Sequence, residues 1–361
     1  MKKILILIVA LMAIAISACS PGNGDRTYEI ALITDVGTID DKSFNQGAWE
    51  GVKKYAEEHN ITYKYYQPVD KTTEEYVASI ELAVSEGAKV IVTPGFLFEP
   101  AIYQAQDMFP DVKFILLDGF PNDGNWAAGP DFRIEDNVHS IFYAEEEVGF
   151  LAGYTAVQEG FTSLGFMGGM AVPAVVRFGY GFVQGAEFAA AELGVEVTLQ
   201  YTYLGDFEPS AAHQTRAASW FTQGIEVIFV AAGGAGNSVM AAAEAASGKV
   251  IGVDVDQKDE SPTVIVSAMK DLTGSVYNSL SDFYNGTFKG GVSEVLDAAV
   301  NGVYLSEDFS RLQNFSRAEY EAFFEKFVDD VDGVRSGILG DQDITSASEI
   351  PVEFVTLSVV Q

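Results

Sequence analysis

The stretch YEIALITDVGTIDDKSFNQ, residues 28–46, predicts the first strand, turn and helix of an α/β fold. Ile30–Ile33 form an apolar run without polar alternation, which is typical of a parallel strand covered on both faces. Ser43, with Gln46 three residues later, matches a capping box. The apolar spacing that follows predicts a helix over residues 43–59.

Apolar runs of the same kind recur along the chain and alternate with amphipathic stretches. They lie at residues 90–92, 114–117, 164–167, 227–230 and 250–253. The resulting order is βαβαβ, repeated twice, with a weaker stretch between the two units near residues 120–145. At about 100 to 200 residues per domain, a chain of 361 residues favours two such domains.

Aspartate and glycine residues follow several of these runs. Asp35, Asp118 and Asp254 each end a predicted strand, and the pairs at 168–169 and 233–234 are Gly-Gly. Ligands of open parallel sheets bind beyond the carboxyl ends of the strands, where backbone N–H groups are exposed. Taken singly, each aspartate is more often a helix cap or a turn residue. Three of them in this position together favour a cleft between two sheets.

The amino terminus predicts an exported protein. Two lysines precede an apolar run over residues 4–16, which would span about 20 Å as a helix and so is too short for a permanent membrane span. We interpret residues 1–18 as a signal peptide. Ile16-Ser17-Ala18-Cys19 resembles the bacterial lipobox, which predicts a lipid anchor on Cys19 and a flexible tether over residues 19–27. The alternative is ordinary cleavage nearby, which would leave Cys19 as a free thiol.

The composition excludes several classes of partner. The chain has 21 Lys and Arg against 52 Asp and Glu, a formal charge of −31. Nucleic acid is therefore not expected as a partner, because phosphate backbones require neutralisation by basic side chains. A single cysteine excludes a disulfide framework within the chain and any CxxC site.

An ordered set of motifs resembles the basic membrane protein family of bacterial lipoproteins. The set begins with ITDVG at 33–37 and DDKSFNQ at 40–46. It continues with FLAGY at 150–154, GFMGGM at 165–170, GYGF at 179–182, AAGG at 231–234, GVDVDQ at 252–257 and SAMK at 267–270. The resemblance thus covers nearly the whole chain after the signal peptide.

The resemblance implies a type I periplasmic-binding-protein fold, with two Rossmann-like lobes, parallel sheets, hinge crossings and a ligand cleft between the lobes. The first lobe would comprise residues 28–140 and about 257–285, and the second residues 141–256 and about 286–361. The implied function is an extracytoplasmic, membrane-anchored receptor that closes around purine nucleosides (inosine, guanosine, adenosine) and delivers them to an ABC transporter permease. A related member binds riboflavin, so that ligand stays an alternative. A monomer without cofactor or metal is expected.

The same resemblance implies aromatic contacts with the ligand. Phe44 and Phe207 would sandwich a flat base, Phe178 would wall the pocket, and Gly234 would bring backbone close to the ligand. Stacking of a base on an aromatic ring contributes roughly 1 to 3 kcal/mol. From its position alone, Phe44 is also compatible with a core residue, since it falls on the apolar stripe of its own helix. Arg177 lies beside Phe178 and would either pair with an aspartate or contact the base.

The implied polar contacts suit a neutral, hydroxyl-bearing ligand. Asp35, Asn45 and Asp118 would meet the polar edge of the base and neighbouring ribose groups. Asp254 and Lys270 would take the ribose hydroxyls. Each hydrogen bond from a hydroxyl to a carboxylate contributes roughly 1.5 to 3 kcal/mol, and the same carboxylates would repel a phosphate. From its position alone, Lys270 is also compatible with a solvated strand end.

Three other functions compete with a receptor. The segment DVGTIDD, residues 35–41, resembles the calcium-binding motif D-x-D-x-x-x-D-D of nucleoside hydrolases, but Ile33 replaces the first aspartate and one extra residue intervenes. The histidines at 59, 139 and 213 lie in unrelated contexts, so an enzyme is not expected. Cytoplasmic relatives regulate competence, and lipoproteins can act as adhesins. The signal sequence and the acidity argue against both of these roles.

Overall fold

The computed structural model describes residues 27–35 and 37–360. Cys19, the signal peptide and residues 19–26 of the tether lie outside the described residues, so those predictions stay predictions. Within the described ranges, no helix is both long enough and apolar enough to cross a membrane.

The strands and helices alternate along the described chain. The strands are β1 (Ile30–Ile33), β2 (Tyr63–Tyr66), β3 (Val90–Pro94), β4 (Lys113–Leu117), β5 (Val138–Tyr143), β6 (Ser163–Gly168), β7 (Val197–Tyr203), β8 (Val227–Ala231), β9 (Lys249–Asp254), β10 (Val264–Lys270), β11 (Val292–Leu296), β12 (Val303–Leu305) and β13 (Val355–Val359). The α-helices are α1 (Phe44–His59), α2 (Thr73–Ser85), α3 (Glu99–Met108), α4 (Glu145–Gln158), α5 (Pro173–Leu193), α6 (Ala211–Thr222), α7 (Gly236–Ala246), α8 (Leu272–Asn285) and α9 (Arg317–Val328). Single-turn 3₁₀ helices lie at Phe96–Phe98, Gly233–Ala235, Ala298–Val300, Val331–Gly333 and Ala347–Glu349.

The strands form two separate sheets, which confirms the predicted α/β class with parallel sheets. The first sheet has the order β11-β5-β4-β3-β1-β2, and the second has the order β12-β10-β9-β8-β6-β7-β13. All pairings are parallel except that of β10 with β12. The inner strands are apolar on both faces because helices cover both sides, and all four residues of β1 are fully buried.

The chain crosses between the sheets three times in its described part. The crossings run from β5 to α4, from β10 to α8, and from β11 to β12. We call the first sheet with α1, α2, α3 and α8 the first lobe, since α8 packs on α1. The second sheet with α4, α5, α6 and α7 is the second lobe.

The sheet pairing differs from the predicted lobe segments in two places. Val264–Lys270, expected in the first lobe, pairs with β9 in the second sheet. Val292–Leu296, expected in the second lobe, pairs with β5 in the first sheet. The physical reason is burial: β10 is buried at six of its seven positions and needs an interior place, whereas β11 is largely exposed and suits a sheet edge.

Helices α4 and α5 pack unusually closely because glycines face each other across the contact. A Cβ atom at Gly181 or Gly185 would overlap with backbone of α4, and one at Gly149 or Gly153 would overlap with backbone of α5. This close approach fixes the start of α4, which holds the acidic run 145–147, against α5.

The predicted helix over residues 43–59 is present, but the predicted capping box is wrong. Ser43 makes no side-chain cap hydrogen bond, and Gln46 Oε1 instead accepts from the Lys42 amide. Asp41 caps the helix, since its carboxylate accepts from the backbone amides of Ser43, Asn45 and Gln46 at 2.9 to 3.1 Å. The side chain of Ser43 is thereby left for another partner.

Candidate functional site

A cavity of about 250 Å³ lies between the carboxyl ends of the two sheets. All nine residues predicted to contact ligand line it. The first lobe contributes Asp35, Phe44, Asn45 and Asp118, and the second lobe contributes Phe178, Phe207, Gly234, Asp254 and Lys270. Both sheets direct the carboxyl ends of their parallel strands toward one cavity, the arrangement in which such sheets bind ligands.

On the first-lobe side, Asn45 is held by two carboxylates. Its amide Nδ2 donates to Asp35 Oδ1 and to Asp41 Oδ2, both at 3.0 Å. The Gly37 amide donates to the same Asp35 oxygen at 3.0 Å. Asn45 is buried, and its Oδ1 has no hydrogen-bond partner within the described residues. Asn45 therefore carries a fixed, unused acceptor at the cavity wall.

Lys270 is the charged centre of the cleft. Its Nζ lies 2.6 Å from Asp118 Oδ2, 2.7 Å from Glu145 Oε1 and 4.0 Å from Asp254 Oδ1. Its side chain is only 2% exposed, so the three carboxylates, and not water, compensate the charge of the ammonium. Asp118 belongs to the first lobe and Lys270 to the second, so this ion pair joins the lobes.

The titration of these groups follows from burial and pairing. Burial raises the pKa of Asp118 to about 7, with Glu145 adding to the rise and Lys270 opposing it. Burial also raises the pKa of Asp254, again against the ammonium of Lys270. For Lys270, burial favours the neutral amine, but Asp118 and Glu145 outweigh it and raise the pKa.

Further hydrogen bonds cross between the lobes beside the cavity. The hydroxyl of Ser43 donates to Asp254 Oδ2 at 2.5 Å, fully buried. The side-chain amide of Gln257 donates to the Lys42 carbonyl at 2.7 Å. The structure is therefore a closed arrangement in which first-lobe and second-lobe groups meet around the cavity.

The aromatic rings lie on both sides of this charged centre. Lys270 Nζ is 4.9 Å from the ring centroid of Phe44 and 5.2 Å from that of Phe178. Phe207 lines the same cavity and is half-buried, and its carbonyl accepts from the Ala235 amide at 2.8 Å. A Cβ atom at Gly169 would overlap with the Phe207 ring, so that glycine is required for the observed ring position.

Two residues beside the site, Glu145 and Ser43, were not predicted in their observed roles. Glu145 is fully buried and accepts from Arg177 Nε at 2.6 Å, and Arg177 also pairs with Asp341 at 3.4 Å. Of the two roles predicted for Arg177, pairing with an aspartate is confirmed, since it pairs with Asp341 and does not line the cavity. Ser43 was interpreted as a cap. An acidic run at the start of the otherwise apolar helix α4 was the available signal for Glu145, since buried carboxylates require cationic partners.

The residues that resembled a calcium motif have other partners. Asp41 caps α1, and Asp40 accepts from the Thr38 hydroxyl at 2.6 Å. Across residues 27–35 and 37–360, no three His, Cys, Asp or Glu side chains are grouped as ligands for a metal ion.

Comparison with known proteins agrees with this architecture. Residues 29–330 match the family model Bmp, described as ABC transporter substrate-binding protein PnrA-like. The chain is 29% identical over 338 residues to the ABC transporter nucleoside-binding protein BmpA of Lactococcus lactis, covering 83% of this chain and 91% of that one. It is 31% identical over 299 residues to basic membrane protein A1 of Borrelia garinii, covering 81% and 83% of the two chains.

A crystal structure of ABC transporter solute-binding proteins from Aeropyrum pernix has a similar fold, with a TM-score of 0.70, 25% sequence identity and 90% of each chain covered. The predicted solute-binding-protein fold is therefore confirmed. The Lactococcus lactis relative and the Aeropyrum pernix structure are both named as binding proteins of ABC transporters. The family model covers most of the sequence, and the predicted resemblance is confirmed as well: the chain belongs to the Bmp family of PnrA-like ABC transporter substrate-binding proteins.

Proposed function

We propose that this protein is a lipid-anchored, extracytoplasmic receptor that captures purine nucleosides by lobe closure and supplies them to an ABC importer. The observation that carries the proposal is the composition of the cavity. Aromatic rings from both lobes share it with buried acceptor oxygens that have no partner within the described chain, namely Asn45 Oδ1 and Asp118 Oδ1.

The aromatic part suits a flat base. Phe44 comes from the first lobe and Phe207 from the second, so both rings reach the ligand only when the lobes are closed. Stacking on each ring contributes roughly 1 to 3 kcal/mol and favours the closed state over the open one. A sugar without a base would lose this contribution.

The polar part suits neutral hydroxyl groups. Asp118 and Asp254 line the cavity from opposite lobes, and a ribose diol donates hydrogen bonds that carboxylates accept strongly. A phosphate in the same place would meet these carboxylates without a free cation, because Lys270 is already paired with Asp118 and Glu145. Nucleosides should therefore bind more tightly than nucleotides.

Support for the anchor and the transporter comes from outside the cavity. Cys19 follows a lipobox-like stretch and is the chain's single cysteine. One relative's name specifies nucleoside binding by an ABC transporter protein. We infer acylation of Cys19, with the folded lobes held outside the membrane near a permease that recognises the closed form.

Calorimetry on the mature protein tests the ligand class. We expect tight binding of inosine, guanosine or adenosine, weaker binding of their monophosphates and no release of free base. Tight riboflavin binding without nucleoside binding would identify riboflavin as the ligand in place of purine nucleosides. Release of free base that EDTA abolishes would indicate a hydrolase instead.

A pair of variants tests the assigned site. Asp254→Ala should abolish nucleoside binding, whereas Asp259→Ala, at an exposed position in the following loop, should bind like the wild type. Equal affinities of the two variants would remove Asp254 from the site. For the anchor, processing that is insensitive to globomycin would count against acylation of Cys19.

A further inference from the structure

Glu145 occupies a position that ligand binding alone does not explain. It is the first residue of α4 and follows the first crossing between the lobes, yet it is 0% exposed and does not line the cavity. A carboxylate removed from water is strongly disfavoured unless cations compensate it. Both of its oxygens meet such cations: Oε1 lies 2.7 Å from Lys270 Nζ, and Oε2 accepts from Arg177 Nε at 2.6 Å.

The two carboxylates nearest Lys270 come from different lobes. Asp118 directly follows β4 in the first lobe, whereas Glu145 and Lys270 both belong to elements of the second lobe. Opening of the cleft therefore separates Asp118 from Lys270 but leaves Glu145 beside it. Of the two closest partners of Lys270, only Glu145 accompanies it through both states.

We propose that Glu145 is a positioning residue that keeps Lys270 charged and directed into the cleft while the lobes are open. Closure then adds Asp118 to an ammonium that is already oriented, so that ligand binding is not opposed by reorganisation or deprotonation of the lysine. Arg177 supports this role because it holds the second oxygen of Glu145. The inference deepens the proposed function, on which its ligand-binding readout rests.

The charges around the pair agree with this role. Burial opposes the charge of Glu145, but Arg177 and Lys270 outweigh it and hold its pKa below the usual value. The charged and titratable groups that face the pair are Asp118 after β4, Tyr143 on β5, Asp254 at the end of β9, Glu146 on α4, Arg177 on α5 and Asp341 after α9.

The decisive measurement needs no ligand. Lysine titration is followed by NMR in the ligand-free protein carrying ¹³C-labelled lysine side chains, with Lys270→Met used to assign the signal. We expect the pKa of Lys270 to fall by about one to three in Glu145→Gln. It should stay unchanged in Glu147→Gln, a control on the same helical turn whose carboxylate contacts Arg335 and the Ala298 amide. An unchanged Lys270 titration in Glu145→Gln would overturn the proposal.

Binding of inosine provides a second readout. Glu145→Gln should weaken affinity about tenfold to a hundredfold near pH 7, with a further loss toward about pH 9.5 that the wild type does not show. In a Lys270→Met background the same substitution should cost no further affinity, whereas an additive loss would contradict action through the lysine.

Failure of the variant to fold, and failure of the wild type to bind inosine, can each be distinguished from failure of the proposal. If Glu145→Gln fails to fold, as judged by its melting transition, Glu145→Asp keeps the charge but shortens the reach, and the same lysine titration decides the question. If the wild type does not bind inosine, the proposed function fails while the ligand-free titration still tests the role of Glu145.

Discussion

Replacing Ser43 by alanine separates two roles that the same residue could have at the start of α1. A capping serine would stabilise the helix, whereas the structure assigns that task to Asp41. The Ser43 hydroxyl instead donates to Asp254 Oδ2 at 2.5 Å across the two lobes. The substitution should therefore affect closure around ligand and not the stability of the helix.

The magnitude follows from the kind of hydrogen bond. A buried hydrogen bond to a charged group contributes about 1.5 to 3 kcal/mol. Because the bond joins the two lobes, opening of the cleft would break it, and its contribution belongs to the closed state alone. Loss of the bond should raise the dissociation constant for inosine about tenfold to a hundredfold. The free energy of unfolding of the ligand-free protein should change by less than the roughly 1 kcal/mol expected for a lost cap.

Calorimetry and urea unfolding measure the two quantities on the same preparation. Ser85→Ala is the matched control, because the hydroxyl of that exposed serine bonds only to the Leu82 carbonyl of its own helix. Asp41→Ala, by contrast, should lower the free energy of unfolding, because it removes the helix cap. If Ser43→Ala lowers the free energy of unfolding by a full cap and leaves inosine affinity unchanged, the assignment of Ser43 to lobe closure is wrong.

Three further changes test the packing, the titration and the aromatic contacts. Gly181→Ala should destabilise the fold by about 1 to 3 kcal/mol or more in urea unfolding, because its Cβ overlaps backbone of α4, whereas Gly236→Ala, with nothing nearer than 3.8 Å, should not. Burial raises the pKa of Asp118 to about 7, so the folded state binds its proton more tightly than the unfolded state, and stability from this group should decline as pH rises from about 4 to 7. Urea unfolding of the closed protein, saturated with inosine, at intervals across that range should show a smaller decline in Asp118→Asn. An identical pH dependence of the two proteins would refute the assignment of the decline to Asp118. Phe207→Ala should weaken inosine binding about tenfold to a hundredfold in calorimetry, because the ring lines the cavity. Phe132→Ala removes an exposed ring and should bind inosine like the wild type. Equal affinities of the two variants would place the base elsewhere.

The six strands predicted from apolar runs are present, and β5 is one of the other described strands, which those runs did not predict. Its sequence, VHSIFY, places a histidine at the second position of a largely buried strand. His139 Nδ1 lies 2.9 Å from Ser279 Oγ, and Nε2 lies 2.9 Å from Glu294 Oε1. Both partners are more than a hundred residues away in the sequence. Local periodicity detects strands that apolar burial stabilises, but it cannot detect one whose polar residue is satisfied by tertiary partners.

The candidate site also contains some residues that local sequence patterns predict and others that depend on tertiary contacts. Residues such as Asp35 and Asp118 were predictable because strand ends in open parallel sheets converge, and the cavity does contain them. The bond between Ser43 and Asp254 joins residues 211 positions apart. A single sequence supplies the first kind of information through topology, but the second depends on how the lobes meet. Ser43 was accordingly assigned the local role that its position suggested.

The backbone at the two strand ends adds evidence that side-chain patterns do not contain. Asp118 and Asp254 both adopt left-handed conformations, with φ of 51° and 65°. Glycine adopts this region without the steric cost that a Cβ atom brings. Each position nevertheless carries a carboxylate, although burial also raises its pKa. Backbone strain and desolvation thus accumulate at the same two residues, one from each lobe. Closure offsets these costs, because it brings Lys270 to Asp118 and Ser43 to Asp254. This is the reason to propose the two aspartates for ligand binding and not for turn formation.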